Sequence, residues 1–338
     1  MKWRWLGLAG VLALAAAFIL LNRSQLPAAG DAARQANPSY LVAAAAVSVL
    51  YLINYGAMYR AAYQSVGLRL PLREAIRLAN SAHFLNVTVN SGGMAGLTVF
   101  LREAEGRGQG RGLVVSAYLL IALAGHLVFA VVLAFALAVA ASDGQVGRIE
   151  VLAAGVFAIY TLFSLALVVA AVRSRAAVRW LHDRPGAVKD QLLRRFGRKP
   201  PERPGSTEAA DELYEALRLM IRRPRAIALP VFHAFLVEVA GVSALWFCLK
   251  AFGIDAGLEE PLVAYAMGVL FGIVGVLPAG IGFAEAGLGL ALTSFGLSGV
   301  DVALTVVTYR LFEVWIPFAA GGLALQASLR RARAAEAQ

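Results

Sequence analysis

Apolar stretches of membrane-crossing length recur along the chain, at residues 6–21, 39–62, 113–141, 149–172, 226–251 and 300–327. A helix needs about 20 residues to cross the hydrocarbon core, so each stretch predicts a transmembrane helix. Two further stretches have another pattern. Residues 79–101, around NSAHFLNVTVNSGGMAGLTVF, are broken and partly polar. Residues 261–296 are two apolar arms parted by LPAGIG. The pattern predicts an all-α polytopic membrane protein, residues 1–338 forming one membrane domain. It would have six full helices and two re-entrant hairpins. The first run follows MKWRW and precedes LPAAG, so residues 1–29 read either as a cleaved secretory signal or as a first helix.

Charge placement turns these spans into a topology. Cytoplasmic loops collect Lys and Arg. Segment 173–225 holds fourteen basic and seven acidic residues and reads as the main cytoplasmic loop. Loops 66–78 and 102–112 carry Arg69, Arg73, Arg77, Arg102, Arg107 and Arg111, and the tail carries Arg330, Arg331 and Arg333. Segment 252–260 has Asp255, Glu259 and Glu260 and no basic residue, so it reads as outside. With both termini cytoplasmic, 79–101 must enter and leave on the inner side and 261–296 on the outer side. Broken helices of opposite sidedness are the mark of inverted repeats that meet near the midplane. The alternative is that 261–277 and 283–296 are short full spans.

Within the large loop, 182–205 is a Pro-, Gly- and charge-rich linker. Residues 207–223 begin with Thr207 and an acidic turn, and place Leu213, Leu217, Met220 and Ile221 on one stripe. That predicts an amphipathic helix on the membrane surface.

Polar groups at bilayer depth are the candidate functional residues. Asn80, His83, Asn86 and Asn90 share a helix face and must line protein or water. Interhelical hydrogen bonding explains them as well as function does. Ser91, Gly92 and Gly93 break the first hairpin, and Pro278, Gly280 and Gly282 break the second. Each break starts a short helix whose free N–H groups favour an anion such as phosphate. Glu238, Glu285, Arg310 and Glu313 are charges inside apolar runs. Each costs roughly 2.5–3.5 kcal/mol at a helix centre, which makes it a functional-site hypothesis. Arg310 and Glu313, three apart, also fit a structural pair. His126 reads as packing, and the pair Gly268 and Gly272 as a close helix contact.

Composition and motifs narrow the function classes. The chain is 59% hydrophobic, against about 45–50% for soluble domains, and a net charge of +10 sits in loops beside the spans. Anionic lipid headgroups explain that charge, and nucleic acid is not an expected partner. The lone Cys248 excludes an internal disulfide and a cysteine metal cluster. There is no H-E-x-x-H, C-x-x-C or G-x-S-x-G motif, and GRGQGRG at 106–112 lacks the P-loop form. No enzymatic activity, cofactor or metal is expected.

The segments NSAHFLNVTVNSGGMAGLTVFLR and GVLPAGIGFAEAGLGLALTSFGLSGVDVALTVVTYRLFEVWIPFAAGGLAL resemble the transmembrane region of lysylphosphatidylglycerol synthases and the flippase-like, UPF0104-type membrane proteins. The resemblance covers about residues 40–327. It rests on Pro278, Gly280, Gly282, Glu285 and Arg310. The family often has Pro-Gly where this chain has Ser91-Gly92-Gly93, and a basic residue where it has Ala284. No soluble synthase domain is expected after residue 338, so lysyl transfer is not implied. The resemblance implies a flippase that moves an anionic or isoprenoid-linked lipid across a bacterial inner membrane; read with the intramembrane charges, it makes Glu285, Arg310 and Glu238 the expected polar core. Membrane lipids are the expected partners, and a lipid-modifying enzyme a second one. The rivals are a membrane-embedded transferase on lipid-linked substrates and a non-catalytic assembly partner.

Overall fold

The computed structural model describes residues 34–89, 93–142, 148–179, 206–222, 224–275 and 277–336. The run 6–21, the residues Asn90, Ser91 and Gly92 and the linker 182–205 lie outside the described residues. Within them the chain is all-α, with eleven α-helices. In chain order these are α1 (Pro38–Ser65), α2 (Leu72–Thr88), α3 (Met94–Gly106), α4 (Arg111–Ser142), α5 (Arg148–Arg173) and α6 (Ser206–Arg222). There follow α7 (Pro224–Ala251), α8 (Glu259–Val274), α9 (Phe283–Ser294), α10 (Gly299–Arg310) and α11 (Ile316–Glu336). Five helices are long and apolar enough to cross a membrane: α1, α4, α5, α7 and the continuous rod Gly299–Arg330. They coincide with five of the six predicted runs.

Local chemistry sets the boundaries. α1 starts on Pro38, whose missing N–H costs nothing in the first turn, and the Asn37 side chain accepts from Ser39 N. It ends where Gly67 takes φ 81° and Leu68 N–H reaches back to Tyr63 O. α2 begins at Leu72, after Pro71, so most of the predicted loop 66–78 is helix and only the stretch before Leu72 is loop. Sequence reading placed the start late because Arg73, Glu74 and Arg77 mask the apolar pattern. Those charges are paired: Arg107 bridges Glu74 and Glu103, and Arg77 reaches Glu103 and Ser328. They tie α2, α3 and α11 together at one end.

Two buried clusters fix the arrangement. One joins α2, α3 and α6 to the C-terminal half of α1 and the N-terminal half of α4. The other joins α8, α9 and α10 to the N-terminal half of α1, the C-terminal half of α4 and the C-terminal half of α7. The two broken helix pairs therefore pack at opposite ends of a central group, α1, α4 and α7. α1 and α7 lie along each other through its middle. Glycine permits the tight contacts. A Cβ on Gly287 would come 2.5 Å from Met267 O, and one on Gly268 would come 2.7 Å from the Leu288 side chain, so α8 and α9 touch nearly backbone to backbone. Gly268 and Gly272 thus serve α8–α9 packing.

The helix predicted over 207–223 is α6, but protein covers its apolar face. Ala210, Ala216 and Leu217 are buried and Leu213 packs against the first cluster. Glu212 Oε2 accepts from Gly112 N, 3.0 Å away at the start of α4, where a carboxylate also suits the helix dipole. Arg175 pairs with Glu215 and Arg179 with Asp211, and Arg175 stands over the Tyr214 ring. Hydrogen bonds from Arg179 hold the Asp211 carboxyl below its usual range. With the folded value depressed, that contribution to docking is present at neutral pH and lost on acidification.

Candidate functional site

The segment after α8 cannot continue as helix. Pro278 to Gly280 forms a single 3₁₀ turn, and Ala279, Gly280 and Gly282 all take positive φ. Ala279, at φ 58°, is the sole non-glycine residue in that region among the described residues. For alanine this costs about 1–2 kcal/mol, so something must hold it. Gly280 has no such choice: its φ is 62° and a Cβ there would lie 2.6 Å from Gly272 Cα.

Arg310 holds the turn. Its Nη2 donates to Ala279 O at 2.8 Å, its Nε to Glu285 Oε1 at 2.7 Å and its Nη1 to Glu313 Oε2 at 2.8 Å. Glu285 Oε2 in turn accepts from Gly282 N at 2.6 Å, which caps the start of α9. With glycine as the cap residue, this is only the carboxylate half of a capping box. The guanidinium is 6% exposed with its residue and so belongs to the interior. One cation is thus forked between two carboxylates and a strained carbonyl, which joins α9, α10 and the break.

A π turn follows at once. Ile316 N–H reaches Leu311 O, five residues back. The next donor in that pattern would belong to residue 317, which is proline, so Phe312 O has no partner in its own helix. Ser48 Oγ, from α1, donates to it at 2.9 Å. Ser48→Ala leaves that buried carbonyl unpaired and should lower stability by about 1–3 kcal/mol. Thermal melting of the purified variant in detergent checks this.

Beside the fork lies a cavity of about 230 Å³. Ser48 and Tyr51 of α1, His83 of α2, Tyr265 of α8, and Tyr309, Arg310 and Glu313 supply its polar wall. Val47, Val87, Val237 and Phe312 supply much of the apolar remainder. His83 stands edge-on to Tyr51 and Tyr55, with centroids 6.3 and 5.7 Å away. His83 Nε2 and the hydroxyl of Tyr309, which is 1% exposed, have no hydrogen-bond partner among the described residues. Unpaired donors and acceptors on a cavity wall are satisfied by water or a polar ligand.

The predicted site residues separate into three groups. Arg310, Glu313 and His83 line the cavity, and Glu285 reaches it through Arg310. Glu238 is 7% exposed and accepts from Tyr265 OH at 2.9 Å, one residue behind the wall. Asn80 and Asn86 are turned elsewhere. Asn80 Nδ2 donates to Ile76 O at 2.7 Å, and Asn86 Oδ1 accepts from Gly96 N at 2.6 Å while its Nδ2 donates to Tyr118 OH at 3.0 Å. Tyr118 OH then donates to Gly93 O at 2.5 Å, so Asn86 and Tyr118 brace the first break. His126 packs edge-on against Tyr160. Of the N–H groups at the two breaks, that of Gly282 is taken by Glu285 and that of Gly96 by Asn86. Sequence reading missed Ser48, Tyr51, Tyr265 and Tyr309, since single hydroxyls in apolar runs look like packing. The Pro317 position was the one signal for the π turn.

These features define a multi-pass membrane protein with a partly open, largely apolar cavity among its helices, one wall of which carries Arg310 and Glu313. The chain belongs to the family described as the lysylphosphatidylglycerol synthase TM region, which matches residues 4–321. No curated protein matches it.

Proposed function

We propose that the protein is a lipid translocator, not an enzyme, and that a phospholipid headgroup crosses the membrane by way of the cavity at Arg310 while the acyl chains stay in lipid. The observation that carries this reading is a cavity with one polar wall, bounded by the buried Arg310 and its two half-buried carboxylates, next to the turn between α8 and α9 and to α2. A lipid-facing fork would be too costly, and irregular backbone at such depth survives only against protein or water. The packing of the two pairs at opposite ends of α1, α4 and α7 supports the inverted-repeat reading. Membership of a family named for phosphatidylglycerol modification favours a glycerophospholipid over an isoprenoid carrier. The fork contains two carboxylates for one guanidinium, so a bare phosphate gains little there. A headgroup that brings its own positive or hydrogen-donating part fits better.

The test is reconstitution of the full chain alone in phosphatidylethanolamine–phosphatidylglycerol vesicles containing a headgroup-labelled phospholipid. A membrane-impermeant quencher reads the label in each leaflet. The reading expects label to exchange between leaflets only in vesicles that hold the protein. Exchange at the protein-free rate would favour the assembly-partner reading, and a chemically altered label the transferase reading.

The proposed orientation has its own test. Gln109→Cys and Ser206→Cys should react with an impermeant thiol reagent only from the cytoplasmic side, and Gly257→Cys only from outside. Cys248 is buried and gives little background. Outside labelling of position 109 would overturn the inner-side hairpin.

A further inference from the structure

Glu238 is a carboxyl group without an ion pair among the described residues, seated in the middle of α7. Arg310, the cation of this region, is engaged by Glu285, Glu313 and Ala279 O. The hydrogen bond to Glu238 comes from Tyr265 OH. A fixed negative charge so placed costs several kcal/mol, whereas the same group carrying a proton costs little. A residue needed only to accept from Tyr265 would serve as well as glutamine.

The surroundings connect Glu238 to the cavity. Gly241, on the same helix, has no Cβ to keep the Tyr265 ring off α7, and both residues line the cavity. Whatever occupies the cavity therefore touches the side chain that touches Glu238. Tyr51 from α1, Tyr265 from α8 and Tyr309 from α10 share the cavity wall with Glu313, and Tyr265 also reaches Glu238. The Tyr309 hydroxyl has no hydrogen-bond partner among the described residues. On the opposite side, His233 of α7 meets Asn54 Oδ1 of α1 at 2.7 Å and so is tied to α1.

We infer that Glu238 is a reversible proton-binding site that exchanges with the cavity through Tyr265, so that loading the cavity and loading Glu238 are linked. Resting on the transport reading, this supplies a coupling ion for it. In the loading step a hydronium ion in the cavity gives its proton to a Glu238 carboxylate oxygen and becomes water. The Tyr265 hydroxyl, donor to the carboxylate, is then free to turn toward the cavity. Release is the reverse, and no electrons change hands.

Infrared difference spectroscopy on the full chain tests this directly. Acidifying the parent protein in detergent should raise a protonated-carboxyl carbonyl band that Glu238→Gln removes. Tyr265→Phe should keep the band but move its frequency, because the hydroxyl contact is gone. Transferring the parent into phosphatidylethanolamine–phosphatidylglycerol vesicles should shift the band's midpoint pH relative to detergent. A band unchanged by both substitutions, or a parent without a titrating band, overturns the proposal. Should Glu238→Gln fail to fold, the Tyr265→Phe frequency decides alone. If the band titrates as expected but no lipid moves in the vesicles, the transport reading fails and the proton site stands. If lipid moves at the same rate with and without a proton gradient, and the band is absent, the proton site fails and transport stands.

Discussion

Arg310→Ala is expected to lose most of its folded protein. The substitution takes from the half-buried Glu285 and Glu313 the cation they share and removes the donor that holds Ala279 at φ 58°. Hydrogen bonds to charged groups are worth about 1.5–3 kcal/mol each, so losing the three that Arg310 makes removes a large part of the stability of a typical domain. Arg310→Lys should recover little, because a single ammonium cannot reach three acceptors laid out for a planar fork. Size-exclusion yield and melting temperature in detergent measure both. Arg310→Leu combined with Glu285→Leu and Glu313→Leu should be markedly more stable than Arg310→Ala, since no charge is stranded. If Arg310→Ala melts like the parent, the fork is not what closes the second break.

Glu285→Leu should come next in size. Glu285 accepts twice, from Arg310 Nε and from Gly282 N, so leucine strands both donors and uncaps α9. The expected loss is about 3 kcal/mol or more, from two charge-assisted contacts of about 1.5–3 kcal/mol each. Glu285→Gln retains an oxygen for one donor and should lose roughly half as much on the same scale. The order leucine worse than glutamine is the discriminating result. A residue that only relayed protons would show the same stability in both variants and differ in pH response. Its two contacts, to Arg310 and Gly282, are what an anchoring role would require.

The spans were legible because lipid-facing and core-facing residues are both apolar, so hydrophobic length alone delimits them. Runs 39–62, 113–141 and 226–251 fall within α1, α4 and α7. The second break was legible for a related reason: Pro278, Gly280 and Gly282 have no place in a helix interior. Pairing was much less visible. Arg310 and Glu313, three apart, could be matched from spacing, but the bond between Arg310 and Glu285 joins residues 25 apart across a turn. The polar face of 80–90 left two readings open for a physical reason. A helix face tells which residues avoid lipid, not whether they meet a cavity or a backbone carbonyl, and Asn80 and Asn86 meet protein. The tyrosine wall was hidden because phenols pack like phenylalanine until a second helix supplies the carboxyl group. Likewise, the stripe of α6 showed an apolar face without showing that α4 covers it.

Filling the cavity is the most direct test of the central claim that a headgroup passes beside Arg310. Val47 and Val237 line it from α1 and α7 and belong to neither the fork nor the breaks. Val47→Phe and Val237→Phe each add a ring to a space of about 230 Å³, and the pair together should occupy much of it. Leu152→Phe on the exposed face of α5 is the control. The double variant is expected to elute as a folded protein and melt near the parent, yet leave labelled headgroups in the leaflet where they started, while Leu152→Phe exchanges them normally. A folded double variant that moves lipid at the parent rate would contradict passage through this cavity.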